Sequence, residues 1–152
     1  MKIGEHVETV IKDVAFGGDG VGRVSDLVLF TPFTVEGDEV EVEITGVKTR
    51  YARGRLIRVI TPSRHRVEAP CPYYTRCGGC RMQHVAYSHQ LELKQRQVEE
   101  TFRRIAKLSP PTVEPVIPSP LPYGYRGKAE FHLAGGRGGW QLGLMALVTN
   151  DI

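Results

Sequence analysis

The chain's only thiols, Cys71, Cys77 and Cys80, fall in one short run, Cys-Pro-Tyr-Tyr-Thr-Arg-Cys-Gly-Gly-Cys. The two-residue gap between Cys77 and Cys80 lets both thiolates turn onto one ion or cluster, a spacing shared by zinc and iron–sulfur sites. Gly78 and Gly79 lack Cβ atoms, so the backbone there can take positive φ and aim amide N–H groups at anionic sulfur. Three cysteines leave a tetrahedral set one ligand short. Either a non-cysteine side chain completes it, or a fourth cysteine lies outside this chain. His84 follows Cys80 closely enough to form a Cys₃His zinc set, and His65 and His89 compete by spacing. A nucleophilic cysteine would want a base beside it and a lowered pKa. Three crowded thiols around a double glycine read instead as ligands, and clustering of this kind in a reducing compartment argues for a metal over a disulfide.

The elements that must position this loop follow from the pattern on either side. Val7, Thr9 and Ile11 alternate with polar residues as a first strand, and Gly17-Gly18-Asp19-Gly20 breaks it. Val21 to Val24 and Leu27 to Phe30 make two short strands around Ser25-Asp26. Val40, Val42 and Ile44 alternate with Glu39, Glu41 and Glu43, a period of two with one wet face. Tyr51 to Ile60 is a fifth strand whose alternation slips at Leu56-Ile57, which predicts a bulge. Five short strands over residues 1–62 read as a small OB-like barrel. Residues 63–109 hold the cysteine loop and one long helix, with Ser88 as its expected N-cap and an end near Lys107. Leu91, Val98, Phe102, Ile105 and Leu108 form the stripe expected to pack on the barrel or loop. The fold class expected is thus mainly β with one long helix.

Charge is unevenly spread. The net charge is only +3, yet Lys48, Arg50, Arg53, Arg55, Arg58, Arg64 and Arg66 occur with no acid among them. Removing those seven leaves 13 basic against 17 acidic residues, so one basic segment rides on a slightly acidic body. Arginine forks suit phosphates and base edges, which points to a polyanion, RNA above all. Tyr51 shares a strand face with Arg53 and Arg55, as an oligonucleotide-binding barrel would use it. No apolar run approaches the length of a membrane span. The N-terminus turns polar at once, which predicts a cytoplasmic protein without a membrane or an inferred protein partner.

Residues 110–152 carry six of the ten prolines between Pro110 and Pro122, an extended connector. Ala129 to Leu133 and Trp140 to Met145 then flank Gly135 to Gly139 as a hairpin, with Ala146 to Thr149 able to extend it. Asn150-Asp151 signals a turn with only Ile152 after it, so the chain is expected to be a fragment. The glycine run has no following helix and is not a dinucleotide-binding motif.

Pro70-Cys71, Cys77-Gly78-Gly79-Cys80, Met82-Gln83-His84, Tyr87 and Gln90-Leu91 with Lys94 closely resemble the RNA 5-methyluridine methyltransferases. The resemblance is to the branch that modifies large-subunit ribosomal RNA and carries a 4Fe–4S cluster. Residues 1–62, with Gly17-Gly18-Asp19-Gly20-Val21-Gly22-Arg23 and Gly37-Asp38-Glu39-Val40, look like its TRAM domain. The resemblance implies that Cys71, Cys77 and Cys80 are three cluster ligands, supported by Gly78, Gly79, Gln83 and His84. It places the fourth cysteine, the S-adenosylmethionine domain, the nucleophile and the base beyond Ile152, so this chain alone is expected to be inactive. RNA contacts are expected from Arg23, Lys48, Arg50, Tyr51, Arg53, Arg55, Arg58, Arg64, Arg66 and Arg126. The competing reading is a stand-alone RNA-binding module with the Cys₃His zinc. A radical methylthiotransferase fits less well, because its first cysteine gap is three residues rather than five.

Overall fold

The computed structural model describes residues 1–109, 113–136 and 139–146. Six strands form the first sheet: β1 (His6–Val10), β2 (Asp13–Val14), β3 (Gly20–Val24), β4 (Leu27–Thr31), β5 (Glu39–Val47) and β6 (Tyr51–Thr61). Their order is β1-β5-β6-β4-β3-β2, with β4 and β6 parallel and the other pairs antiparallel. β1 and the two-residue β2 are one bent segment. It pairs with β5 on one side and reaches β3 on the other, where Lys12 N–H donates to Val21 O at 2.8 Å and Thr9 Oγ1 to Arg23 O at 2.9 Å. The sheet thereby curls shut, which removes most of its exposed edge. One strand more than the alternation predicted appears because β2 is too short to carry a period.

Inside the barrel Ile11, Leu29, Val40, Val42, Ile44 and Ala52 are fully buried, with Val7, Val24, Leu56 and Val59 around them. The expected bulge is present. Val42 pairs with Leu56 and Glu41 with Arg58, so Ile57 has no partner. That extra residue keeps Arg58 on the outer face with Arg53 and Arg55; an unbroken period of two would have turned it inward. Gly54 marks where β6 passes closest to its neighbours. A Cβ there would lie 2.1 Å from Val42 Cγ1, 3.2 Å from Glu43 O and 3.3 Å from Leu29 Cδ1. Gly54→Ala is therefore expected to overpack the barrel and cost about 1–3 kcal/mol. A urea midpoint unchanged from wild type would contradict this.

The helix α1 (Tyr87–Arg104) is rich in Glu, Gln, Lys, Arg and Leu and free of Gly and Pro, all favourable to helix. It starts one residue before the expected cap: Ala86 is the N-cap, with no side-chain cap bond. Lys107 lies beyond its end at φ 56°, a left-handed turn-off ahead of the prolines. The expected apolar stripe is not the buried face. Ile105 is 78% and Leu108 56% exposed, and Val98 and Phe102 are also exposed. The buried residues are His89 and Leu93; exposed Arg96 and half-buried Gln97 follow at helical spacing along the edge that meets the barrel. Leu93 packs with Val14, Val35 and Val85 in a second core shared by barrel, loop and helix. Arg96 pairs with Glu36 at 2.5 Å and Asp13 at 3.2 Å, and the Gln97 amide donates to Val14 O and Ala15 O. The barrel presents carboxylates and open carbonyls there, so polar side chains outcompete the apolar stripe.

The second sheet is the hairpin β7 (His132–Gly136) and β8 (Gly139–Gly143), beginning later than expected. Ala146 bridges to Cys77 rather than extending β8. The expected helix stop at Pro110-Pro111, the hairpin tip at 137–138, the strand extension at 147–149 and the turn at 150–151 lie outside the described residues.

Candidate functional site

The cysteine loop is closed at its neck. Val67 N–H donates to His84 O (2.9 Å) and Ala86 N–H to His65 O (2.8 Å), around a bridge between Arg66 and Val85. Tyr74 plugs its interior: the ring meets Phe33 edge-on at 5.2 Å, and the hydroxyl donates to Arg81 O at 2.8 Å. Burial pushes the Tyr74 phenol up to about 12. The hydroxyl also lies 2.6 Å from His84 Nδ1. His84 itself is 3% exposed, its Nε2 has no hydrogen-bond partner among the described residues, and burial lowers its pKa to about 4. This ring is a core element beneath the loop.

Cys71, Cys77 and Cys80 are all free and half-buried. Tyr74 N–H bonds Cys71 O and Cys77 N–H bonds Tyr73 O, coiling the five-residue gap, while Gln83 accepts from Cys71 N–H at 3.2 Å. Gly79 N–H points at Cys77 Sγ at 3.4 Å. Neither Gly78 nor Gly79 has positive φ. The sulfur-directed amide thus arises with ordinary φ, and Gly78 N–H goes to Met145 O at 3.0 Å. Among the described residues, no three Cys, His, Asp or Glu side chains are drawn together as a metal set. Three unpaired thiols in one loop, with an amide N–H directed at one sulfur, are the kind of donors that soft metal centres take.

The basic residues divide by partner. Arg66 is committed to a buried carboxylate: Nε donates to Asp38 Oδ1 at 2.9 Å and Nη2 to Asp38 Oδ2 at 2.6 Å. Arg55 pairs with Glu43; Arg58 pairs with Glu41 at 2.6 Å and approaches Glu8 at 3.9 Å. The outer face of β5 and β6 is therefore a charge ladder that largely neutralises itself. Arg64 Nε lies 3.1 Å from His65 Nε2, and the His65 ring stacks on His89 at 3.6 Å. Arg23, Lys48, Arg50 and Arg126 have no ion-pair partner among the described residues.

Three of those four cations frame one wall. The pairing Arg23–Val28 and the parallel pairs Val28–Tyr51 and Phe30–Arg53 put Arg23, Phe30, Tyr51 and Arg53 on the outside of β3, β4 and β6. Phe30 and Tyr51 meet edge-to-face at 5.8 Å, and Lys48 and Arg50 are exposed in the turn beside them. Sequence reading missed Phe30, whose outward place depends on the parallel β4–β6 pairing. It also missed Phe16, 90% exposed beside Gly17; an aromatic preceding a glycine-rich turn was the available signal. Gly18 holds φ 94° with Arg81 Cβ only 3.1 Å from where a side chain would begin, so this turn fits against the cysteine loop. Next to it, Asp19 pairs with Arg81 at 2.5 Å and Arg53 at 3.8 Å.

Residues 1–57 match the TRAM domain family. The chain is also similar to a protein of Gloeobacter violaceus named an uncharacterized RNA methyltransferase, with 43% identity over 129 residues, covering 84% of this chain and 28% of that protein. A protein of the same description from Halalkalibacterium halodurans is 40% identical over 133 residues, covering 88% of this chain and 29% of the relative. These likenesses are longer than the TRAM match, so they run past the barrel. The chain spans under a third of the length of these relatives. A solved structure of Pyrococcus abyssi tRNA (uracil-54, C5)-methyltransferase is 28% identical over 63% of this chain and 21% of its own, with a TM-score of 0.44. Among the described residues no helix is long and apolar enough to cross a membrane.

Proposed function

We propose that this chain is the RNA-recognition and iron–sulfur portion of an S-adenosylmethionine-dependent methyltransferase acting on C5 of a uridine, in ribosomal RNA. The observation that carries the reading is the wall of Arg23, Phe30, Lys48, Arg50 and Tyr51 on a TRAM barrel. Cations without carboxylate partners can neutralise phosphates, and the two rings offer faces to unstacked bases. The relatives named RNA methyltransferases agree with it. No residue here is assigned to methyl transfer, for which S-adenosylmethionine would supply the methyl group. Cys71, Cys77 and Cys80 would hold the cluster in a structural or RNA-positioning role, since methyl transfer needs no redox step.

The test is binding of single-stranded RNA across a salt series. Lys48→Ala with Arg50→Ala should weaken binding and flatten the log–log salt dependence by about 0.7 per lost phosphate contact. Wild-type affinity and slope in that variant would refute the assignment of the wall. Anaerobic reconstitution tests the loop: iron and sulfide should bind weakly, and Cys77→Ser should reduce both. One tightly held zinc per chain would favour the stand-alone zinc module instead.

A further inference from the structure

A cleft of about 400 Å³ opens between the cysteine loop, the first turns of α1 and the segment 122–126. Tyr87, Tyr123 and Tyr125 line it, with Lys94 and Arg126 at its sides. Tyr123 and Tyr125 are exposed, and neither cation has an ion-pair partner among the described residues. Arg126 reaches the cysteine loop, its Nη1 lying 3.9 Å from where a Cβ of Gly79 would stand. The far side is held in place by Ser119 N–H, which donates to Tyr87 Oη at 2.8 Å.

We infer that this cleft is a base-binding subsite, which takes one unstacked nucleotide of a single-stranded RNA between its tyrosines and sets the flanking phosphates on Lys94 and Arg126. The inference rests on the RNA-binding reading above and adds a second place of contact. Rings without charge would suit any apolar group, and cations without rings any anion; a nucleotide needs both at once. One carboxylate links the cleft lining to the barrel wall. Asp19 holds Arg53 of the wall on one side and Arg81 of the cleft lining on the other.

The experiment measures binding of a labelled single-stranded oligouridylate, and of the same oligomer with abasic sites, to the full chain. Tyr123→Ala with Tyr125→Ala should weaken the intact oligomer on the order of tenfold, leave the salt slope unchanged, and scarcely affect the abasic one. Tyr123→Phe with Tyr125→Phe should restore binding, because the ring faces remain. Arg126→Ala should instead lower the slope by about 0.7. If the tyrosine variant binds as wild type while the Lys48/Arg50 variant is weakened, the RNA reading stands and the subsite is wrong. If the wild-type chain binds no RNA, both fall. Equal competition by polyglutamate and by RNA would reduce the cleft to a nonspecific anion surface and overturn the inference.

Discussion

Asp38→Ala is expected to remove about 3–5 kcal/mol of folding stability, the largest effect of any single substitution proposed for this chain. Asp38 is fully buried, yet its two oxygens accept four hydrogen bonds. Val35 N–H at 2.8 Å closes the turn before β5, and Ser63 N–H at 2.9 Å pins the chain as it leaves the barrel. Arg66 supplies the other two and carries on to Phe33 O at 2.9 Å. Burial works to raise the Asp38 pKa, but the Arg66 fork and the two amides outweigh it and hold it below the usual value. Alanine would leave two amides without acceptors and a half-buried guanidinium without a counter-charge. Urea denaturation should show the loss. Asp38→Ala with Arg66→Met should recover part of it, because removing both charges spares the unpaired cation. A loss below about 1 kcal/mol in the single variant would show that water replaces the carboxylate. Since Arg66 locks the neck of the cysteine loop to the barrel, the loop should loosen along with the fold.

The second large effect is a loss of stability on mild acidification, traced to His84. Burial lowers its pKa from 6.5 to about 4 in the folded chain, against an opposing pull from the Thr34 backbone. Between those values the unfolded chain binds the proton and the folded chain does not. Stability from this group is therefore complete above about pH 6.5 and falls as pH drops toward 4. The slope is about 1.4 kcal/mol per pH unit, which accumulates to about 3 kcal/mol over the window. His65 shifts downward too, through burial and then the neighbouring His89, and acts in the same direction. Depressed carboxylates such as Asp38 and Glu92 act only lower, near and below their ordinary range. Urea midpoints at pH 7.5, 6.0 and 5.0 should thus decline in wild type. His84→Gln should start less stable and decline less steeply; an equal decline in both would acquit His84.

The contrast between Arg58 and Arg66 shows what one-dimensional charge can and cannot reveal. Both belong to the same acid-free run. Their carboxylate partners lie 17 and 28 residues earlier in the chain, brought close by β5–β6 pairing for Arg58 and by the turn just before β5 for Arg66. A charge cluster in sequence states how many cations there are, and pairing across the barrel decides which are free. The same holds for α1. Its apolar stripe is real in sequence, but burial went to the face whose His, Arg and Gln meet carboxylates and carbonyls on the barrel.

The sequence by itself determined the cysteine spacing, the barrel with its bulge at Ile57, and the existence of one long helix. These depend on neighbours a few residues apart, where alternation, glycine breaks and side-chain type leave little choice. Tertiary structure alone decided which arginines remain open, that His84 is core, and that Phe30 stands beside Tyr51. It also decided that the tyrosines of segment 122–126 face the cysteine loop. Each depends on a contact between residues far apart in the chain, and such contacts are set by packing and charge pairing that no local pattern encodes.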